Sequence, residues 1–472
     1  MTTTRVRCWL AAFAVAVQVG CEPAQPRPNL VLITLESLRT DHVGAYGGHS
    51  RGHPELPITP HLDAFAAGAI RFDDAHAVSS WTLTSHASLF TGLYPSAHRA
   101  VHPLDRLSDS YPTLAEMLAA AGYQTAGVVS GPYLRRAHNL SQGFELWEDG
   151  IASLTSRLAH ADVTSPAMEK ALHRFIETQR DPARPFFLFA YFWDPHYDYL
   201  PPPPYDSQFV GPDAQRIDLS RYETNPAIEP GMAPAQLAYV LSQYAGEIRW
   251  TDEHLGRFFD LLKRNGLWEN TAILITADHG EEFFEHGEKG HKHNLFAETV
   301  HVPLLLKLPG SAVGRVDRRL VSHVDVLPTL LELAGLTAEF PHQGRSLLEA
   351  SPPAPRAIFF DLLSTWYYRR PEGSTFDVSE RWHGVREGAQ KLVWRDGERS
   401  VPVRGLFDVA HDPAERDDVS SANATRVQEL EALYEAQRRD SEAIAAKHSP
   451  GGTAELSPRE LESLRALGYI DP

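Results

Sequence analysis

Cysteine is nearly absent: the 472-residue chain has two, Cys8 and Cys21. Everything beyond Cys21 therefore has no disulfide framework, no cysteine-rich metal site and no thiol nucleophile. Basic residues are outnumbered, 44 Lys and Arg against 61 Asp and Glu, for a formal net charge of −17. Such a body is not built to bind nucleic acid or an anionic membrane surface. An enzyme of this composition that acts on an anion must gather its cations locally. No stretch of the body has an apolar run of membrane-spanning length. What remains is 43% hydrophobic and 22% charged, the balance of a globular protein. The length suits one large α/β domain with a smaller one beside it.

Residues 1–21 stand apart. Arg5 and Arg7 precede an apolar run, 9–17, which is followed by Gly20-Cys21. This is the pattern of a secretory leader, too short to span a bilayer comfortably. Its Gly-Cys ending resembles a bacterial lipoprotein cleavage site, which implies a lipid anchor at Cys21. The other reading is a plain signal peptide or an uncleaved anchor. Either way the expectation is export across the inner membrane, to a periplasmic or membrane-anchored place.

Residues 29–35, Asn-Leu-Val-Leu-Ile-Thr-Leu, form a nearly continuous apolar run followed by Glu36 and Ser37. The pattern predicts a buried strand that delivers polar groups at its C-terminal end, where parallel sheets place their sites. Further buried strands are predicted at 125–129, 185–192, 272–276 and 302–308. The run at 185–192 closes on Asp194-Pro195-His196, and the run at 272–276 on Ala277-Asp278-His279-Gly280. Helical spacing predicts helices over 111–121 and 233–265. The stretch 281–293, crowded with Glu and His between glycines, reads as a charged loop rather than a packed element. Strands alternating with helices imply an α/β fold over 28–350, a doubly wound, mostly parallel sheet. From 351 to 472 the segments shorten, which implies a small α+β subdomain of antiparallel strands with a terminal helix over 423–446.

One turn matters most: Ser80-Trp81-Thr82-Leu83-Thr84-Ser85-His86 runs into an apolar-periodic segment. Thr84 and Ser85 are the N-cap candidates. A helix starting there aims its free N–H groups and positive dipole end at the turn, a ready site for a tetrahedral oxyanion. Thr82 is then an alcohol beside an anion site. Glu36, Asp278 and His279 are delivered by strand ends. Carboxylates with one imidazole suit a divalent cation that prefers oxygen but accepts nitrogen. An alcohol on such a cation loses its proton more easily. Lys292, His196, His86 and His293 are the cationic candidates for the equatorial and leaving oxygens of a sulfuryl or phosphoryl group.

With those residues in view, the chain resembles the sulfatase family of the alkaline phosphatase superfamily. The likeness rests on the opening strand through Glu36, Ser37 and Gly47, on Thr59-Pro60-His61-Leu62-Asp63, and on the Thr82 turn through Gly92. It continues through Asp278-His279-Gly280-Glu281, Val302-Pro303, the stretch His323 to Leu330, and Leu406-Phe407-Asp408 with Asp412 to Glu415. It covers the mature chain in the right order and implies an alkaline-phosphatase-like fold. By resemblance Glu36 and Ser37 stand at metal positions that are usually Asp. Asp278 and His279 stand at the later metal pair, Lys292 at a substrate-contacting Lys, and His196 at the family's His after the third strand.

The nucleophile departs from the pattern. Sulfatases convert Cys or Ser to formylglycine, and here the position is Thr82, so no formylglycine is expected. A subgroup of the family with Trp-Thr-Leu-Pro-Ser-His is similar, apart from Thr84 in place of Pro. The implied cofactor is a divalent metal ion, Ca2+ foremost, with Mg2+, Mn2+ or Zn2+ open. The implied partner is a small anionic ester or a sulfated glycan. Three readings follow: a metal-dependent sulfate-ester hydrolase of the cell envelope; a phosphodiester or phosphonate-ester hydrolase or transferase with Thr82 as unmodified nucleophile; and a non-catalytic envelope binding protein.

Overall fold

The structure is a computed structural model that describes residues 27–151, 164–349, 355–369, 375–396, 403–466 and 469–470. The expected leader with Cys21 and the expected 350/351 boundary lie outside the described residues. No helix among them is long and apolar enough to cross a membrane.

The strands run β1 (Asn29–Leu35), β2 (Ile70–His76), β3 (Gln124–Val129), β4 (Leu146–Glu148), β5 (Phe186–Phe192) and β6 (Thr271–Ala277). They continue with β7 (Glu282–Phe283), β8 (Lys289–Gly290), β9 (Leu304–Lys307) and β10 (Arg315–Ser322). Eight of them form one sheet in the order β10-β2-β9-β6-β1-β5-β3-β4. Its neighbours are parallel except around β9, which is antiparallel to both β2 and β6. The connection from β6 to β9 holds the β7–β8 hairpin and one helical turn, Ala297–Val300, rather than a helix packed across the sheet face.

The three central strands β5, β1 and β6 are buried along their whole length. That is why they read as continuous apolar runs rather than alternating ones. Successive side chains still point to opposite faces. Phe189 and Tyr191 of β5 meet His86, on the helix Thr82–Thr91, while Phe186 meets Phe175 across the other face. Helices thus cover both sides, as a doubly wound sheet requires. The 31-residue helix Pro234–Arg264 turns Val240, Tyr244, Ile248 and Phe258 inward. Its Asp252 accepts the first amides of the helix Pro60–Ala66, His61 N at 2.9 Å and Leu62 N at 2.8 Å. The helix expected over 111–121 begins at Leu114, because Thr113 and Glu116 close a reciprocal cap.

The C-terminal part is a four-stranded antiparallel sheet, β11 (Ala357–Arg369), β12 (Thr375–Glu387), β13 (Gln390–Asp396) and β14 (Arg404–Asp408). The helix Ala424–Ala445 packs on it through Val427, Leu430 and Tyr434. The sheet is not an independent body. Phe360, Trp382 and Phe407 join the main core, and Arg386 pairs with Asp74 at 2.7 Å. The helix expected over 423–446 is not the terminal one: a further helix, Pro458–Ala466, follows it, and beyond that Tyr469 is buried in the main core.

Several buried imidazoles are held neutral by burial, which predicts a loss of stability in acid, and His98 is the clearest case. His98 is 2% exposed, and its Nδ1 accepts the Ala100 N–H at 3.1 Å. Nε2–H is therefore the donor to Ser88 Oγ at 3.0 Å, and the neutral ring satisfies both contacts. Burial pushes its pKa down to about 3 from 6.5. The unfolded chain takes up this proton below pH 6.5 and the folded chain does not, so stability is complete above that pH and falls as pH drops from 6.5 towards 3. His98→Asn is expected to flatten the dependence by about one proton, ~1.4 kcal/mol per pH unit. Urea unfolding across the acid range measures it.

Candidate active site

The site is built by strand register. Leu35 of β1 lies beside Phe192 of β5 and Ala277 of β6, so the three strands end level. The ladder runs one residue further on each side, Glu36 N to Phe192 O at 3.0 Å and Asp278 N to Leu35 O at 3.3 Å. Glu36 and Asp278 are thereby fixed side by side at the C-terminal edge of the sheet, both fully buried. Ser37, at φ 51°, turns the chain there. Its N–H donates to Asp278 Oδ1 (3.1 Å) and its hydroxyl to Glu36 Oε1 (2.7 Å). Ser37 holds the two carboxylates in place.

His279 completes the group. Its Nδ1 faces the Gly280 carbonyl at 2.9 Å and so carries the hydrogen, which leaves the Nε2 lone pair turned towards Glu36 Oε1 (3.3 Å) and Asp278 Oδ2 (3.6 Å). One ligand atom from each of Glu36, Asp278 and His279 lies within 4.8 Å of the others. Burial, then Asp278, push the Glu36 carboxyl up to about 8, and burial pushes Asp278 up to about 7. Asp278 Oδ2 has no hydrogen-bond partner. Two buried carboxylates, an orphaned oxygen and an imidazole lone pair converging on one point fit a divalent cation.

Thr82 opens the helix Thr82–Thr91, whose ten residues are all buried. Its hydroxyl lies 3.4 Å from Glu36 Oε2 and 3.3 Å from His279 Nε2. The expected N-caps are corrected: Trp81 occupies the cap position with no side-chain bond. Thr84 donates instead to Ala100 O (3.1 Å) and Ser85 to Ser79 O (3.0 Å). Both are packed against neighbouring backbone, and the helix starts three residues earlier than a cap at Thr84 would place it. The alcohol of Thr82 consequently sits at the helix mouth itself.

The stretch 281–293 is also corrected. It is the β7–β8 hairpin with Glu281, Glu282, His291, Lys292 and His293 buried, not a solvated loop. Lys292 sits at φ 65°, its backbone N–H donating to Ser80 O at 2.9 Å, which ties it to the Thr82 turn. Its ammonium lies 4.5 Å from the Tyr469 ring centroid and 3.6 Å from Glu223 Oε1. His293 Nε2 is 3.5 Å from the same Glu223 oxygen. Burial opposes the Glu223 charge, yet Lys292 and His293 hold its pKa at about 2. His196 bonds Tyr197 O through Nδ1 (2.6 Å) and the Tyr469 hydroxyl through Nε2 (2.7 Å).

His86 lies beside the group, its Nδ1 3.9 Å from Asp278 Oδ2, but its ring is bonded elsewhere. Its Nδ1 meets the Thr82 carbonyl (2.8 Å) and its Nε2 Thr34 Oγ1 (2.9 Å), and burial lowers its pKa to about 3. With both nitrogens engaged inside the helix–sheet interface, it carries no proton to a departing oxygen. It braces the first turn of the helix.

The whole chain can now be compared with known proteins. The sulfatase family model matches residues 28–336, and the model for the N-sulphoglucosamine sulphohydrolase C-terminal region matches 285–440. The chain belongs to the sulfatase family. Among curated relatives, this sulfatase is 24% identical to Arylsulfatase K of Xenopus laevis, covering 88% of this chain and 83% of the relative. It is 23% identical to N-acetylglucosamine-6-O-sulfatase of Bacteroides thetaiotaomicron, covering 87% and 86%. A solved structure bound to its substrate D-glucosamine-2-N,6-O-disulfate superposes with TM-score 0.67 at 21% identity, over 88% of this chain and 98% of that one. The phosphonate monoester hydrolase of Agrobacterium radiobacter superposes with TM-score 0.65 at 21% identity, over 90% and 96%. These establish a shared fold with a sulfatase-like hydrolase.

Several groups of this sulfatase's site were not singled out from sequence. The Tyr191 hydroxyl donates to Glu36 Oε2, but a tyrosine inside an apolar strand reads as core. His291 is fully buried between His279 and His196, with ring centroids 4.4 Å and 5.4 Å away, and its signal was present in the run Gly290-His291-Lys292-His293. Glu223 and Tyr469 arrive from distant, irregular segments.

Two carboxylates buried together cost stability when nothing joins them. Asp278→Asn is expected to stabilise the chelator-treated protein by about 1–3 kcal/mol and to abolish the thermal shift that a divalent cation gives the parent. Calorimetric melts with and without cation measure both, and an undiminished shift in the variant would remove Asp278 from cation binding.

Proposed function

We propose that this protein is a metal-dependent hydrolase of sulfate esters that uses the unmodified Thr82 hydroxyl as nucleophile. The observation that carries the reading is the position of that hydroxyl, between Glu36 Oε2 and His279 Nε2 at the start of a buried helix. Glu36, Asp278 and His279 would hold the cation, which when bound supplies a Lewis acid that lowers the pKa of a nearby alcohol. Oxygen ligands favour Ca2+ or Mg2+, and the imidazole also admits Mn2+ or Zn2+.

The residues then divide the work. Thr82 Oγ attacks sulfur, its proton passing to Glu36, the acceptor it already faces. The bond from sulfur to the ester oxygen breaks as the bond to Thr82 forms. Lys292, with His196, balances charge on the sulfuryl oxygens, and His293 gives its proton to the departing alcohol. Water then attacks sulfur, passing a proton back to His293; the bond to Thr82 Oγ breaks, the threonine recovers its proton from Glu36, and hydrogen sulfate leaves. Amides at the helix mouth, which have no intrahelical partners, favour the anion throughout. A sulfated sugar ester is supported by the N-acetylglucosamine-6-O-sulfatase relative and the disulfated glucosamine complex among the neighbours. The leader-like pattern of residues 1–21 supports action in the cell envelope.

A second reading has its own support. An unmodified threonine is chemically suited to forming a phosphothreonine, and phosphonate monoester hydrolases are among the structural neighbours. The two readings part in one assay. Aryl sulfate, aryl phosphonate and phosphodiester are offered to the purified protein with and without chelator, beside Thr82→Ala and Thr82→Ser. The expected result is chelator-sensitive sulfate turnover that falls by about 10³-fold or more in Thr82→Ala and survives in part in Thr82→Ser. Turnover of phosphorus esters alone selects the second reading, and full activity in Thr82→Ala overturns the nucleophile.

A further inference from the structure

One cavity lies apart from the group around Thr82. It measures about 660 Å3 and is bounded by the C-terminal sheet, the helix Ala424–Ala445, and the short helix Pro95–His98 with the residues after it. That size suits a small organic ligand. We infer that it binds a neutral sugar unit, stacked on Trp394 and hydrogen-bonded through its hydroxyls to Asp361, Asp396, Arg99 and Arg381.

Strand register builds the floor. Residues directly opposite in an antiparallel sheet share a face, and so do alternate residues along each strand. Asp361 of β11, His383 of β12 and Trp394 of β13 form one row, and Leu363, Arg381 and Asp396 form the next. His383 stands between the two carboxylates, Nδ1 3.1 Å from Asp361 Oδ1 and Nε2 3.2 Å from Asp396 Oδ2. Tyr434, from the helix, donates its hydroxyl to the same Asp361 oxygen. Its ring stands edge-on to the Trp394 indole, with centroids 4.7 Å apart. Asp361 and the indole are therefore fixed before a ligand arrives, which spares the ordering entropy of binding. Trp394 is half-buried, and Arg99 and Arg381 are exposed.

The lining chemistry selects the ligand. Arg438 is taken up by Glu435 at 2.9 Å and Glu442 at 2.7 Å. That leaves Asp361 and Asp396 as acceptors and Arg99 and Arg381 as donors, the last two held by no ion pair among the described residues. Asp361 gives one oxygen to Tyr434 and His383 and keeps Oδ2 for the ligand. A phosphate or sulfate ion meets the carboxylates and a polyamine meets the guanidiniums, so an ion of either sign is disfavoured. A purely apolar molecule leaves all four groups unpaired. A sugar meets both demands. Its hydroxyls donate to carboxylates and accept from guanidiniums, while the C–H groups on one face of its ring pack on an indole. No residue of the Thr82 group lines this cavity, so the assignment is independent of the reaction there.

The test is ligand-observed NMR on the full chain, and it needs no turnover. N-acetylglucosamine and galactose are the probes, and saturation transfer from the protein to their ring protons is the readout. Transfer is expected with at least one of them, and titration is expected to show binding weakened about tenfold or more in Trp394→Ala and in Arg381→Ala. Circular dichroism checks that each variant folds. Arg381→Ala changes an exposed side chain, so it stays informative if Trp394→Ala does not fold. Lys292→Ala is expected to bind as the parent does, and inorganic sulfate is expected not to compete. No transfer to either sugar overturns the inference, as does displacement by sulfate. Parent-like binding in Arg381→Ala together with weakened binding in Lys292→Ala also overturns it, by moving the sugar to the Thr82 site.

Discussion

The structure depends on keeping two carboxylates, Glu36 and Asp278, out of water and next to each other. Like charges in a dry interior repel, and burial alone disfavours each. The arrangement persists because the backbone leaves no alternative. Three parallel strands end level, and extending the ladder by one residue beyond Leu35 and Ala277 places both side chains at the same height. Around them the protein arranges donors: Ser37 through its amide and hydroxyl, Tyr191 through its phenol, the His279 amide. An apolar sheet core of this size can absorb the cost of such a site, since each buried Leu, Ile or Phe contributes roughly 1.5–3 kcal/mol.

Much of this was readable in advance, and the reason is periodicity. A strand buried on both faces leaves an apolar run that ends abruptly, and the first polar residue after it is where a parallel sheet puts chemistry. Glu36, Asp278 and His279 were found that way. The antiparallel β9 was hidden because a short buried strand carries no mark of its direction. Side-chain hydroxyls misled for a related reason. Thr84 and Ser85 are favoured at helix caps, yet the same short side chains bond equally well to backbone when buried inside a helix. His86 was read as facing the ester since its place in the motif is close to Thr82, but four residues along a helix is one full turn behind it.

The charged stretch 281–293 shows the limit of composition as a guide. Glutamate, histidine and lysine in one run usually mark a solvated face. Here the buried ones are partnered, several of them by other segments: Glu281 by Tyr199, Lys292 by Glu223 and the Tyr469 ring. Pairings of that kind have no local signature. They are a property of the tertiary fold, and Glu223, Tyr191 and Tyr469 escaped notice for the same reason.

The ring and hydroxyl of Tyr469 rest on Lys292 and His196. The candidate site therefore draws on the polypeptide all the way from Glu36 to Tyr469. Bringing such distant residues together carries the loop-closure entropy of a very long segment. During synthesis the nucleophile, the carboxylates and the imidazoles emerge one after another, and the contacts on Lys292 and His196 form only once Tyr469 has followed them.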